Sequence, residues 1–208
     1  MPDGLHGARG YSLALAEEGA PATRVLSTEE AKEHLRELED DHDTLVDGLV
    51  LAAEGLLDGP FGILGRALIT QSWVMTRAVW PSGASLDLPL PPVQSVTSVV
   101  YIDAEGETQT LAAESYRLVA GESRARLELV AGASWPAVYD RSDAIRVTFV
   151  AGYGAAASDV PEPIRQAVRL LVGFWYENAE AAASGPRDIL PFGVRALLVN
   201  FRRPEGLI

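Results

Sequence analysis

Cysteine is absent from the 208-residue chain, and lysine and histidine are nearly so. Without cysteine there can be no disulfide framework, zinc ribbon, iron–sulfur cluster or thiol nucleophile. Lys32 is the single lysine, and it does not follow the glycine-rich turn that the phosphate-binding loop of nucleoside triphosphatases requires. A nucleophile-elbow serine hydrolase needs a histidine downstream of its serine, and no histidine follows His42. These absences predict a protein that is not an enzyme and that holds no cofactor and no metal.

Long apolar runs are also missing. No stretch approaches 18 consecutive apolar residues, and the first residues lack a basic start followed by an apolar segment. We therefore expect no membrane association, and production in the cytoplasm. The chain is 48% hydrophobic and 22% charged, which is typical of a globular protein large enough to bury a core.

Positive charge is scarce and unevenly distributed. The formal net charge is −12, and residues 1–60 hold 14 acidic side chains against four basic ones. No basic stripe with interleaved aromatic residues is present to neutralise phosphates, which argues against direct binding of nucleic acid. Such a surface would instead repel a DNA duplex that passes beside it.

Helical patterns occupy both ends of the chain. Ser27 and Glu30 form a capping-box signature that opens a helix over residues 28–38. A stripe of apolar residues at helical spacing then ends at a Gly-Pro-Phe-Gly turn, and it comprises Leu45, Leu49, Ala52, Ala53 and Leu56. The same spacing recurs at Ile164, Val168, Leu171, Val172 and Trp175, and a short apolar face follows at Val194, Leu197, Leu198 and Phe201.

The middle of the chain has the composition of β-strands. Runs rich in β-branched and aromatic residues lie at 68–74, 93–102, 116–119, 126–130 and 145–150. We predict an α+β fold in which an N-terminal helical hairpin and C-terminal helices pack together, with an antiparallel β domain inserted between them. The predicted domains are a flexible N-terminal arm (1–25), a helical domain (26–65 and 155–208) and the inserted β-rich domain (66–154).

Three groups of side chains are candidates for binding. The acidic run that contains Asp41, Asp43 and Asp47 fails the calcium-loop pattern, which favours a solvated corner between helices. Arg165 and Arg169 suit an ion pair with a neighbouring element or an adjacent subunit. Eight aromatic residues could form a stacking surface, although packing is the more common use: Trp73, Trp80, Trp135, Trp175, Tyr101, Tyr116, Tyr139 and Tyr153.

Several strings together resemble one known family. They are LSTEEAKEHLR (26–36), RALITQSW (66–73), LPPVQSVTSV (90–99), IRVTFVAGYG (145–154), residues 161–178 and LPFGVRALL (190–198). In this order they resemble the head–tail connector, or adaptor, proteins of tailed phages, prophages and gene transfer agents. The resemblance covers residues 26–203, and the first 25 residues depart from it.

The resemblance implies a mostly helical connector fold and a structural role. Copies of the chain would form a ring, expected to be dodecameric, in the neck between the portal protein and a tail-side stopper or tail terminator protein. DNA would pass through the lumen without sequence-specific binding, and the ring would assemble in the bacterial cytoplasm. The C-terminal helix would dock on the portal through Leu190, Phe192, Leu197, Leu198, Phe201, Arg202 and Arg203. Contacts between subunits would involve Arg165 and Arg169.

A different class of function remains open from the residues alone. Exposed tryptophans on a β-rich unit flanked by helices are also typical of a carbohydrate- or surface-binding module. Such a module would be a monomer, whereas a connector forms a ring.

Overall fold

The computed structural model of the chain describes residues 10–36, 40–178 and 191–202. It comprises two compact units. Among the described residues, the β unit is formed by residues 10–21 and 70–152, and the helical unit by residues 22–36, 40–69, 153–178 and 191–202. In the described residues no helix is long and apolar enough to cross a membrane.

The described part of the helical unit has four α-helices: α1 (Thr28–Leu35), α2 (Asp43–Leu57), α3 (Glu162–Glu177) and α4 (Phe192–Leu198). The predicted capping box is confirmed, because the Ser27 hydroxyl accepts from the Glu30 amide and the Glu30 carboxylate accepts from the Ser27 amide, each at 3.1 Å. Arg36, in the left-handed region with φ 59°, ends α1 three residues earlier than the sequence predicts. Pro163 in the first turn of α3 suits a helix start.

The core of the helical unit is built from one face of each long helix. In α3 the predicted stripe is confirmed, since Ile164, Val168, Leu171 and Val172 are buried and Trp175 packs against them. In α2 the buried residues are Val46, Val50, Ala53 and Leu57. The predicted stripe is confirmed in part, since Ala53 is buried and Leu49 and Leu56 pack against this core, whereas Leu45 and Ala52 are exposed. The sequence could not distinguish the buried residues, because apolar side chains surround most of α2 apart from the side that carries Asp43, Asp47 and Glu54.

The β unit contains two antiparallel sheets. The five-stranded sheet has the order β1-β2-β8-β4-β5, formed by Ser12–Leu15, Gln71–Arg77, Ile145–Ala151, Val93–Ile102 and Thr108–Thr110. The three-stranded sheet has the order β3-β7-β6, formed by Ser85–Leu88, Ala125–Leu129 and Tyr116–Ala120. Every second residue of β8 is buried, as expected of a central strand with one face on a core; the buried residues are Ile145, Val147, Phe149 and Ala151.

The expected mostly helical fold is wrong. Helices make up 31% of the structure and strands 28%, so the α+β description holds without a helical majority. The difference arises because α1 ends early, α4 has only seven residues, and three short strands carry no sequence signal of their own. Those strands are β1, β3 and β5, and β1 lies within the segment for which the sequence predicts a flexible arm.

Candidate docking surface

The C-terminal helix α4 presents two contrasting faces. Val194 and Leu198 are buried in the core of the helical unit, and Leu197 and Phe201 pack against that core in part. The opposite face carries Phe192, which is 87% exposed, and Val199, which is 63% exposed. Ala196 lies between them, so these three residues follow the i, i+4, i+7 spacing of a single helix face. We call Phe192, Ala196 and Val199 the α4 apolar face.

A buried arginine fixes the segment that follows α4. Arg66 is 2% exposed, and its Nε donates to the Phe201 carbonyl oxygen at 2.5 Å. The backbone around Arg66 is itself tied to the end of α2, since the Gly59 amide donates to the Arg66 carbonyl at 2.7 Å. The Asp58 carboxylate also accepts from the Leu68 amide at 2.7 Å. The helical unit therefore holds α4 at a defined orientation, with its apolar face outward.

The residues predicted to dock on a portal do not share one environment. Phe192 and Arg202 are exposed, whereas Leu198 is buried and Leu197 and Phe201 face their own core. Leu190 and Arg203 lie outside the described residues. Sequence reasoning missed Val199 because it followed the inward stripe, and the helical spacing from Phe192 is the signal that could have found it.

Arg165 and Arg169 lie in an ion-pair cluster within the helical unit. Arg165 donates to Glu30 Oε1 at 2.6 Å and to Glu162 Oε2 at 3.1 Å, and Arg169 donates to Glu162 Oε1 at 2.5 Å. The hydrogen bond from Arg169 is the largest cause of the lowered pKa of Glu162. The expected ion pair with a neighbouring element is confirmed, and the role of these arginines between subunits stays a prediction.

The acidic segment that begins α2 is bound to cations of the same unit. Asp43 accepts from Lys32 Nζ at 2.6 Å, and Asp47 lies 3.1 Å from Arg24 Nη1. Among the side chains that the structure describes, no three His, Asp or Glu residues converge as metal ligands would. These carboxylates hold α2 against the segment that contains α1.

Glu54 is a second structural carboxylate on α2. Its Oε1 accepts from the Val25 amide at 2.6 Å and from the Leu26 amide at 3.3 Å. Burial is the largest influence on this group and raises the pKa of Glu54 despite those two bonds. Glu54 thus anchors the chain that leads into α1.

The aromatic residues mostly pack against one another or against a core. Trp80 and Trp135 are stacked with ring centroids 4.5 Å apart, and Tyr101 meets Trp80 edge-on at 6.3 Å. Trp135 Nε1 also donates to the Gly83 carbonyl at 2.9 Å. Trp73 is buried, and Trp175 packs in the helical core, so the packing interpretation is confirmed for the four tryptophans.

Comparison with solved structures identifies similar chains. No protein-family model and no curated protein matches the sequence. A chain from the neck of an empty gene transfer agent (GTA) particle, computed with C6 symmetry, is 30% identical with a TM-score of 0.75, covering 94% of this chain and 97% of that one. A chain from the virion of a native GTA particle gives 30% identity, the same coverage and a TM-score of 0.76.

A third similar structure is the neck of a native GTA particle computed with C12 symmetry. It is 29% identical with a TM-score of 0.69, covering 93% of this chain and 97% of that one. The similarity extends over both units rather than over one of them. The chain therefore belongs to the head–tail connector family of tailed phages and gene transfer agents, a family of structural proteins of the particle neck.

Proposed function

We propose that copies of this chain form a ring between the portal and the tail of a phage-like particle, where the ring extends the DNA channel and provides a surface for tail docking. The observation that carries the proposal is the match to chains from necks computed with C6 and C12 symmetry, over 94% and 93% of this chain respectively. A ring of twelve copies is compatible with both symmetries, because C6 is a subgroup of C12. The expected neighbours are the portal protein on one side and a stopper or tail terminator on the other.

The α4 apolar face is the proposed portal-docking surface. A phenylalanine that is 87% exposed contributes nothing to its own core, and an apolar side chain of this size gains stability when a partner buries it. Arg195 and Arg202, both exposed, lie on the same short segment and add positive charge around an apolar centre. This arrangement resembles the apolar core and polar rim of protein interfaces.

The charge of the chain supports a channel role. With 29 acidic side chains against 17 basic ones, the chain presents DNA with a net negative charge rather than a basic surface to bind as it slides past. An acidic lumen repels the phosphates and keeps the duplex from adhering to the wall.

The test is quantitative mass spectrometry of DNase-resistant particles that carry either the wild-type chain or a substituted one. We expect wild type at a small, fixed ratio to capsid protein. Phe192→Ala should fold normally and lose at least tenfold in incorporation, because it removes the largest apolar side chain of the docking surface. The matched control is Phe61→Ala, which truncates another phenylalanine that is 75% exposed.

Two results would contradict the proposal. Absence of the wild-type chain from intact particles that contain portal would contradict the neck role itself. Equal incorporation of Phe192→Ala and Phe61→Ala would leave the neck role standing and exclude docking through the α4 apolar face.

A further inference from the structure

The exposed residues of α2 carry no charge, while the half-buried Asp43 and Asp47 beside them are paired with Lys32 and Arg24. The exposed residues include Leu45 and Leu51, which are 49% and 51% exposed, and the others are Thr44, Gly48, Ala52 and Gly55. We call these six residues the α2 neutral face. The outward side of α1 is different, since Glu29, Glu33 and Arg36 are exposed there.

A helix face of this composition is unusual against water. Surface helices usually bear charged and polar residues on the face opposite the core, whereas on α2 the charged residues Asp43, Asp47 and Glu54 lie to one side of the exposed face. Its exposed face therefore points to contact with another protein surface.

Two glycines strengthen the argument. A Cβ atom added to Gly48 or to Gly55 would meet nothing within 4 Å, so the fold of the chain gives no steric reason for glycine at either position. Glycine in a helix interior is less favourable than alanine. A neighbouring protein whose backbone or side chains approach α2 closely would give both glycines a use.

We propose that the α2 neutral face packs against a second copy of this chain, as the contact between adjacent subunits of the ring. This inference rests on the proposed neck function. A ring requires each copy to contact the next through two different patches. Each copy carries a net charge of −12, so the copies repel one another wherever acidic surfaces meet. An uncharged helix face lets two such copies approach without that repulsion, whereas the acidic side of α1 does not.

The first arm of the test is photo-crosslinking in assembled particles. A benzophenone-bearing amino acid replaces Leu51 in one variant and Leu45 in another, and Ala196 on the α4 apolar face in the comparison variant. The probes at positions 51 and 45 are expected to give covalent dimers of this chain. The probe at position 196 should give products with a different particle protein.

The second arm separates assembly from folding. Gly48→Leu adds a side chain where the isolated fold has open space, so its thermal midpoint should equal or exceed that of wild type. The same side chain would obstruct the contact between copies and should lower incorporation into particles at least tenfold. Glu33→Leu on α1 is the control, with wild-type incorporation expected.

Each contrary result has a distinct meaning. Crosslinks from positions 51 and 45 only to portal or to a tail protein would overturn the contact between copies while leaving the neck function intact. Gly48→Leu that incorporates like wild type would do the same. Absence of the wild-type chain from particles would overturn both the neck function and this inference.

Discussion

At the scale of single residues, carboxylates with opposite pKa shifts set how the helical unit responds to pH. The pKa of Glu162 is lowered, chiefly by its hydrogen bond from Arg169, whereas burial raises the pKa of Glu54. A carboxyl group with a lowered pKa stabilises the fold above its unfolded pKa, and that contribution is lost as the pH falls through the folded value. A carboxyl group with a raised pKa destabilises the fold when it is ionised at high pH, and this penalty disappears as the pH falls and the group is protonated.

The effect of each substitution on the free energy of unfolding should therefore depend on pH, and the dependence should have opposite signs for Glu162→Gln and Glu54→Gln. We expect Glu162→Gln to lower the free energy of unfolding by about 0.5 kcal/mol near neutral pH, a value typical of an exposed ion pair, and by less below the ordinary glutamate pKa of 4.5. The difference in the free energy of unfolding between Glu54→Gln and wild type should favour the variant more near neutral pH than below pH 4.5. The reason is that the substitution removes a charge that burial disfavours, and wild type carries this charge only at the higher pH. Urea denaturation at both pH values measures this, and parallel trends for the two variants would contradict the assignments.

At the scale of elements, the edge strand β1 depends on the turn that follows it. The Ala16 amide donates to the Ser72 carbonyl, and the Ser72 amide donates to the Gly19 carbonyl, each at 2.9 Å. A Cβ atom on Gly19 would lie 2.3 Å from the Ser72 carbonyl oxygen, closer than such atoms approach. Only glycine fits where this turn touches β2.

Gly19→Ala should therefore loosen β1. We expect a loss of about 1–3 kcal/mol in the free energy of unfolding, typical of overpacking at a close contact, and faster hydrogen exchange of the amides in β1. Gly83→Ala is the control in the same unit, because a Cβ atom there would meet nothing within 4 Å. Equal stability of the two variants would show that the turn tolerates a side chain.

Elements with a local signal could be predicted from sequence, and those defined by distant partners could not. The capping box at Ser27 located the start of α1, and the β-branched run of β4 gave its observed bounds of Val93–Ile102. Strand β1 has four residues, and its partner β2 lies more than 50 residues away, so the sequence around Ser12–Leu15 gives no pattern long enough to recognise.

The candidate docking surface was likewise predicted only in part from the sequence. The sequence named Phe192 because it belongs to the string that resembles the family, and the structure exposes it. It missed Val199 and included the exposed Leu45 and Ala52 in the α2 stripe, because helices with apolar residues on several sides do not show which side their own core covers. In both helices, the exposed apolar face that the sequence did not identify is the one proposed to contact another protein.

At the scale of the whole molecule, the chain combines features that a neck subunit requires. It leaves apolar helix faces exposed at α2 and α4, carries a strongly acidic net charge, and matches chains from symmetric particle necks over both units. Isolated as a monomer, such a protein would expose more apolar helix surface than its fold needs. Assembly into a ring accounts for these features together.

A cryo-EM reconstruction of the neck in particles that contain this chain tests the central claim most directly. The account expects a ring of identical subunits directly below the portal, each with the four helices and two antiparallel sheets described above, with α4 against the portal and α2 at the contact between copies. A portal-adjacent ring traced as a different protein, with this chain elsewhere in the particle or missing from it, would contradict the account.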